Sequence, residues 1–394
     1  MDITAYQKTG SQVQGNSITQ LGCDLLNKII PNQNVVFSPL SIFSCLAMTY
    51  AGAQSITAQQ IENVLHIENN DQMTHALIKD VFHDIKNRED RHTCIFKFAN
   101  TLFCCKQYSL LPQFLSLVEE YYEAKPQSVD FTNSIKTAKQ INSWVEKQTY
   151  NKINDLIPAS GINPLTKLIL VNALYFKGDW KHKFNRDLTK PMDFKIDNRN
   201  KFEVQMMSIT KNFNYMEDTD IGLQMVELPY ICNNLSMYIL LPKSVNGIDS
   251  LCKEMNSKTI VKWVSKMSRD YKVNLSLPRF KMTYQTALSD LLGNLGMIDA
   301  FDNKNADFSK MCSDNDLYIT EIFHKVFIEV NERGTEAAAA TGAVARYKTR
   351  SKRPPLIKVM TVDHPFVFMM YHKSSGSTLF LGKMYNPAIN PSVR

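Results

Sequence analysis

Apolar positions recur at helical spacing through the first part of the chain and in alternating or continuous short runs through the rest. Ile18, Leu21, Leu25, Leu26 and Ile29 share one helical face, which predicts a helix over residues 15–30, ended by Pro31-Asn32. Ser38 before Pro39 suits a helix start, because the hydroxyl can cap and proline fits the first turn. The helix that follows, residues 40–50, is apolar nearly all round and therefore buried. Further helices are predicted from residue 55, over 71–86, 112–122, 137–150, 248–265 and 285–295. Residues 93–104 alternate as a strand. Residues 168–176 form a continuous apolar run, as in a central strand buried on both faces, with Asn172 in its middle needing partners. Short strands fill residues 190–242, and 272–282, 318–330 and 365–370 read as strand. Helices early and strands late indicate an α+β fold with large sheets.

One stretch breaks the pattern. Between the strands at 318–330 and 365–370 lies Glu332-Arg333-Gly334-Thr335-Glu336-Ala337-Ala338-Ala339-Ala340-Thr341-Gly342, followed by a basic tract, residues 346–353. By propensity alone the alanine tract is a turn of surface helix that Thr335 could cap. The formal charge is +7, and five of those charges are Arg346, Lys348, Arg350, Lys352 and Arg353, which leaves 7 − 5 = +2 elsewhere. The excess is local and implies neither a nucleic-acid nor a membrane surface.

With 44% hydrophobic and 21% charged residues the chain is an ordinary folded one, and its apolar runs are too short to cross a bilayer. The first residues show no secretory signal pattern. Eight dispersed cysteines without a C-x-x-C pair are expected as free buried thiols rather than a disulfide framework. There is no G-x-S-x-G elbow, phosphate loop or H-E-x-x-H, and the eight histidines are scattered, so no enzyme, cofactor or metal is expected.

Several separated motifs resemble one family in the right order. They are Asn34-Val-Val-Phe-Ser-Pro-Leu-Ser-Ile42; Ile141-Asn-Ser-Trp-Val-Glu146 with Lys152-Ile153; Val171-Asn-Ala-Leu-Tyr-Phe-Lys-Gly-Asp-Trp180 with Phe184; Glu227-Leu-Pro-Tyr230; Leu277-Pro-Arg-Phe280; Gly334-Thr-Glu-Ala-Ala-Ala-Ala-Thr341; and Pro365-Phe366 with Gly382. The chain resembles a serpin over nearly its whole length. The resemblance implies a single domain over residues 1–394, with three β-sheets, about nine helices and an exposed reactive-centre loop at about 332–360. It also implies a hinge at Glu332, Gly334, Thr335, Glu336, Ala337, Ala338, Ala339, Ala340 and Thr341. Ser38, Ser41, Asn172 and His324 match the polar shutter beneath a sheet that opens. Trp180, Arg279 and Glu332 match the breach at its top, where Arg279 and Glu332 are expected as an exposed pair worth only ~0–1 kcal/mol.

A strand repeats every two residues. Inserted as one, the loop would present Thr335, Ala337, Ala339, Thr341, Ala343 and Ala345 on one face, all small and uncharged. Glu336, Ala338, Ala340, Gly342, Val344 and Arg346 would lie on the other, so one face can be buried and the other solvated. The expected activity is suicide inhibition of a trypsin-like serine protease held as a covalent complex, with no catalysis by the chain itself. The family's spacing from Gly334 puts the cleaved bond at Lys348-Thr349. Counting back from Pro365 favours Arg350-Ser351 instead, and both remain open. A basic residue suits the acidic specificity pocket of trypsin-like enzymes. A non-inhibitory serpin acting as chaperone, carrier or storage protein is the alternative, against which the small hinge residues argue. A heparin-like polyanion is a further candidate partner for the basic loop, and a monomer is expected. The target class favours the extracellular space, while the absent signal pattern favours the cytoplasm. Asn234-Leu-Ser and Asn274-Leu-Ser are glycosylation sequons within strand-like runs.

Overall fold

A computed structural model describes residues 3–29, 32–67, 71–87, 93–232, 234–314, 316–335 and 356–389. In chain order the elements are α1 (Ile3–Lys28), β1 (Val35–Phe37), α2 (Pro39–Gly52), α3 (Ser55–Leu65), α4 (Asp71–Asn87), β2 (Cys94–Cys105), α5 (Pro112–Tyr122), β3 (Gln127–Val129), α6 (Ser134–Gln148) and β4 (Leu168–Asp179). Then come β5 (Lys190–Lys195), β6 (Lys201–Asn212), β7 (Tyr215–Asp218), β8 (Leu223–Pro229), β9 (Leu235–Pro242), α7 (Ile248–Glu254), α8 (Ser257–Lys266), β10 (Lys272–Pro278) and β11 (Phe280–Ala287). The last are α9 (Ser289–Gly293), β12 (Ile319–Val330), β13 (Gly334–Thr335), β14 (Ile357–Thr361), β15 (Phe366–His372) and β16 (Ser377–Met384). The described residues thus form nine α-helices and three sheets, the α+β architecture that the sequence implies.

An antiparallel sheet has the order β1-β16-β15-β9-β8-β7, and a four-stranded sheet the order β14-β10-β6-β5. A mixed sheet runs β11-β12-β13-β4-β2-β3, with β12 also pairing β4 directly. The continuous apolar run of β4 is explained by the two cores it separates. Leu168, Leu170, Leu174 and Phe176 enter the main core, while Ile169, Val171, Ala173 and Tyr175 pack in a second core that includes Ile141 and Val145 of α6. Helix α2 is buried almost completely, and the Ser38 side chain caps it by accepting from Ser41 N–H.

Four expectations are corrected. The helix predicted over 285–295 shrinks to α9, because Gln285, Thr286 and Ala287 pair with Lys325, His324 and Phe323 as the end of β11. Sheet pairing there overrides local propensity. The helix over 248–265 is two helices, the second started by an Asn256 capping box. The strand over 272–282 is also two, in different sheets, divided at Arg279. Finally, the thiols are not all free: Cys94 and Cys232 form a disulfide, with Cα atoms 5.9 Å apart. It ties the first residue of β2 to the turn after β8. Cys23, Cys45, Cys104, Cys252 and Cys312 are free and buried, and Cys105 is free and half-buried.

The disulfide closes a sequence separation of 138 residues. Replacing Cys94 and Cys232 together by alanine is expected to lower unfolding free energy by about 2–4 kcal/mol, read by urea denaturation. Peptide mapping of the alkylated, unreduced chain should recover a single cross-linked pair.

Candidate functional site

The site is the seam where β12 and β4 run parallel, from Ile319 opposite Leu168 to Phe327 opposite Tyr175. His324 lies opposite Asn172 in this ladder, and both are fully buried. Ser38 N–H donates to His324 Nε2 at 3.2 Å, so that nitrogen carries no proton. Nδ1 therefore holds the hydrogen and donates it to Asn172 Oδ1 across the seam. Asn172 Nδ2 in turn donates to Ser41 O, and Ser41 Oγ donates to Asn100 Oδ1 at 2.9 Å. The four residues expected to cluster do so: Ser38, Ser41, Asn172 and His324 form one buried network that joins the start of α2 to both strands of the seam. Burial holds the His324 imidazole down at about 3. A second ring proton would also face the Ser38 N–H, donor against donor.

Beyond Phe327 the two strands part and β13 fills the gap. Thr335 pairs with Val330 of β12 and with Gly178 of β4, and Gly334 pairs with Asp179. The backbones approach so closely that a Cβ on Gly334 would lie 1.9 Å from Gly178 O, which explains glycine there. Thr335 is fully buried and shares a hydrogen bond of 2.8 Å with the Tyr230 hydroxyl. Tyr230 stacks on Trp180 with ring centroids 4.5 Å apart. Trp180 Nε1 donates to Asn331 O at 2.9 Å and its backbone N–H to Arg333 O at 2.7 Å. Trp180 thus pins the turn that carries the chain back into the sheet.

Glu332 departs from expectation. Only 1% of its side chain is accessible, against 41% for Arg279, so the pair is not an exposed one. Arg279 Nε donates to Glu332 Oε1 at 2.7 Å, and Thr189 Oγ1 donates to the same oxygen at 2.6 Å. Burial pushes the carboxyl up, but the Thr189 and Arg279 hydrogen bonds outweigh it and hold the group below the usual carboxylate range.

Glu332, Gly334 and Thr335 are therefore brought together with Trp180 and Arg279. Glu336, Ala337, Ala338, Ala339, Ala340, Thr341, Lys348, Thr349, Arg350 and Ser351 lie outside the described residues, as does the basic tract. Sequence reasoning assigned no role to Asn100, Thr189 or Tyr230. Asn100 left a signal, a polar residue inside an apolar alternation. Thr189 left none, because its role depends on a chain crossing far from its own strand. Of the sequons, Asn274 is exposed on β10, while Asn234 Nδ2 is engaged with Asp84 and His372. Among the described residues no helix is long and apolar enough to cross a membrane.

Comparison with known proteins agrees with this geometry. The model of the serpin (serine protease inhibitor) family matches residues 16–387. A leukocyte elastase inhibitor of Xenopus tropicalis is 38% identical, covering 94% of this chain and 99% of its own. The Homo sapiens leukocyte elastase inhibitor is also 38% identical, over 94% and 98%. Among solved structures, human thyroxine-binding globulin superposes with a TM-score of 0.85 at 28% identity, covering 96% of this chain and 99% of that one.

The His324 imidazole gives a signed pH prediction. Above pH 6.5 neither folded nor unfolded chain protonates it. Between 6.5 and about 3 the unfolded chain takes up a proton that the folded chain refuses, so stability falls on acidification. The slope from this group is about 1.4 kcal/mol per pH unit, measurable as the difference in urea unfolding between the parent and His324→Gln. In the same assay Arg279→Ala, which leaves the buried Glu332 carboxylate with one donor fewer, should cost about 1–3 kcal/mol.

Proposed function

The chain belongs to the serpin family, and from that premise we propose that it is a single-use inhibitor of trypsin-like serine proteases, acting as one domain over residues 1–394. Strand insertion by the reactive loop is a general property of serpins. The observation that carries the reading for this chain is the position of Thr335. It already sits between β12 and β4, opposite Gly178. Even-numbered residues of β4 such as Leu174 and Phe176 enter the main core. With a strand period of two, Thr335 and the small residues Ala337, Ala339, Thr341, Ala343 and Ala345 would face the same side. Glu336 and Arg346 would face the other.

On cleavage after Lys348 or Arg350 the loop continues down the seam that Thr335 has entered. It displaces the β12–β4 ladder and the His324–Asn172 bond within it. Inserting ~14 residues at ~3.3 Å each carries the attached protease ~45 Å. The enzyme is at that moment an ester on its own serine. Distorting its oxyanion hole arrests deacylation, since loss of one donor there already costs about 10²–10³ in rate. Ser38, Ser41, Asn172 and His324 then act as the latch that sheet opening must break. Glu332, Arg279 and Trp180 hold the hinge end in register. A lysine or arginine bait suits an acidic specificity pocket, so trypsin-like enzymes are proposed as targets, although the named relatives are elastase inhibitors.

Incubation with trypsin followed by a denaturing gel tests the reading. An SDS-stable complex is expected, with mass spectrometry of the released C-terminal peptide locating the bond at Lys348-Thr349 or Arg350-Ser351. Clean cleavage without a complex would instead favour the carrier or storage alternative. Thr335→Arg would bury an unpaired guanidinium at about 3–5 kcal/mol, slowing insertion at least about a hundredfold. That variant should be cleaved as a substrate, and retained trapping would show that insertion does not pass position 335.

A further inference from the structure

The chain carries two N-glycosylation sequons, Asn234-Leu-Ser and Asn274-Leu-Ser, and the inhibitor reading uses neither. The fold separates them. Asn274 is exposed on β10, where it alternates with the buried Val273 and Leu275. Its Oδ1 accepts from Thr210 Oγ1 at 3.2 Å on the adjacent β6, while its Nδ2 meets no protein partner among the described residues. The amide nitrogen is the atom that takes a sugar, so here the carbonyl is fixed and the reacting atom is left open. At Asn234 the arrangement is reversed. Its Nδ2 is the engaged atom, donating to Asp84 Oδ2 at 3.3 Å and facing His372 Nε2 at 3.2 Å. The hydroxyl of that sequon, on Ser236, is fully buried and donates to Glu227 Oε1 at 2.5 Å. A sugar on Asn234 would break the contacts that join α4 to the ends of β9 and β15.

Two further features bear on Asn274. The Cys94–Cys232 disulfide suits an oxidising compartment, such as the one in which sequons are glycosylated. In addition, β14 is the edge strand beside β10, and its Val359, opposite Asn274, and Ile357, opposite Lys272, are 59% and 62% exposed. Apolar residues on an unpaired edge invite pairing with another chain. A glycan on Asn274 would cover both.

We propose that Asn274 is an N-glycosylation site and that Asn234 is not. The donor is a lipid-linked oligosaccharide pyrophosphate. A bond forms between Asn274 Nδ2 and the anomeric carbon of the first sugar, and the bond from that carbon to the pyrophosphate oxygen breaks. The pyrophosphate leaves with the electron pair, and the amide gives up one proton. Transfer reads the extended chain, in which Ser276 supplies the sequon hydroxyl. The fold then decides which glycan can be kept. This site does not rest on the inhibitor reading.

The native protein is digested with a peptide N-glycosidase in heavy-oxygen water, which converts a glycosylated asparagine into a labelled aspartate, and its peptides are sequenced by mass spectrometry. Label is expected at position 274 and not at 234. In the full chain secreted from mammalian cells, Ser276→Ala should abolish the gel shift that the glycosidase causes, and Ser276→Thr should retain it. Both variants keep Asn274 and its strand. Absence of label at 274, label at 234, or a shift that survives Ser276→Ala overturns the assignment.

Discussion

Everything distinctive about this protein depends on one pairing, the parallel ladder between β12 and β4. Parallel pairing is slightly less stable per residue than antiparallel. Along this ladder an apolar strand carries a buried asparagine opposite a buried histidine. Their hydrogen bond joins the two strands, and its remaining partners come from Ser38 and Ser41 at the start of α2. A pair of leucines would hold the seam by burial, which is indifferent to direction. A hydrogen-bond network holds it by geometry and is lost all at once when the strands separate. This gives the seam a single, well-defined arrangement.

At the upper end of the seam several contacts converge on the same short turn. Trp180 holds Asn331 and Arg333 by their carbonyls, Arg279 and Thr189 hold the Glu332 carboxylate, and Tyr230 meets Thr335. These contacts come from the residue after β4, from the segments that precede β5 and β11, and from the residue after β8. They direct the chain leaving β12 back between its neighbours rather than out into solvent. The Cys94–Cys232 disulfide lies close by, because Cys94 pairs with Gly178, the residue that also pairs with Thr335.

Much of this is legible in the sequence. The continuous apolar run at 168–176 specified a strand covered on both faces, and the two cores on either side of β4 bear this out. The Ser38-Pro39 helix start is capped as its residues suggest. The polar cluster was legible because Asn172 stands out in an apolar strand and had to find partners. Other features were not. Residues 285–287 have no local reason to be strand; β12 recruits them. Glu332 looks like a surface acid in a charged segment, and only the convergence of Thr189 and Arg279 makes its burial tolerable. The disulfide was missed because its cysteines lie 138 positions apart in unrelated motifs.

By itself the sequence determined which segments are strands or helices with strong periodicity, which polar residues must be satisfied in the interior, and that of the two alternating faces after Gly334 one is wholly small and uncharged while Glu336 and Arg346 fall on the other. Those properties follow from side-chain chemistry and spacing along one chain. The tertiary structure alone decided that Thr335 already occupies the seam, that His324 carries its proton on Nδ1, and that the Asn234 amide nitrogen is engaged with Asp84 and His372. Each of these depends on what a distant strand or helix brings within hydrogen-bond distance. Such proximity is a property of the packed sheets and not of any local stretch.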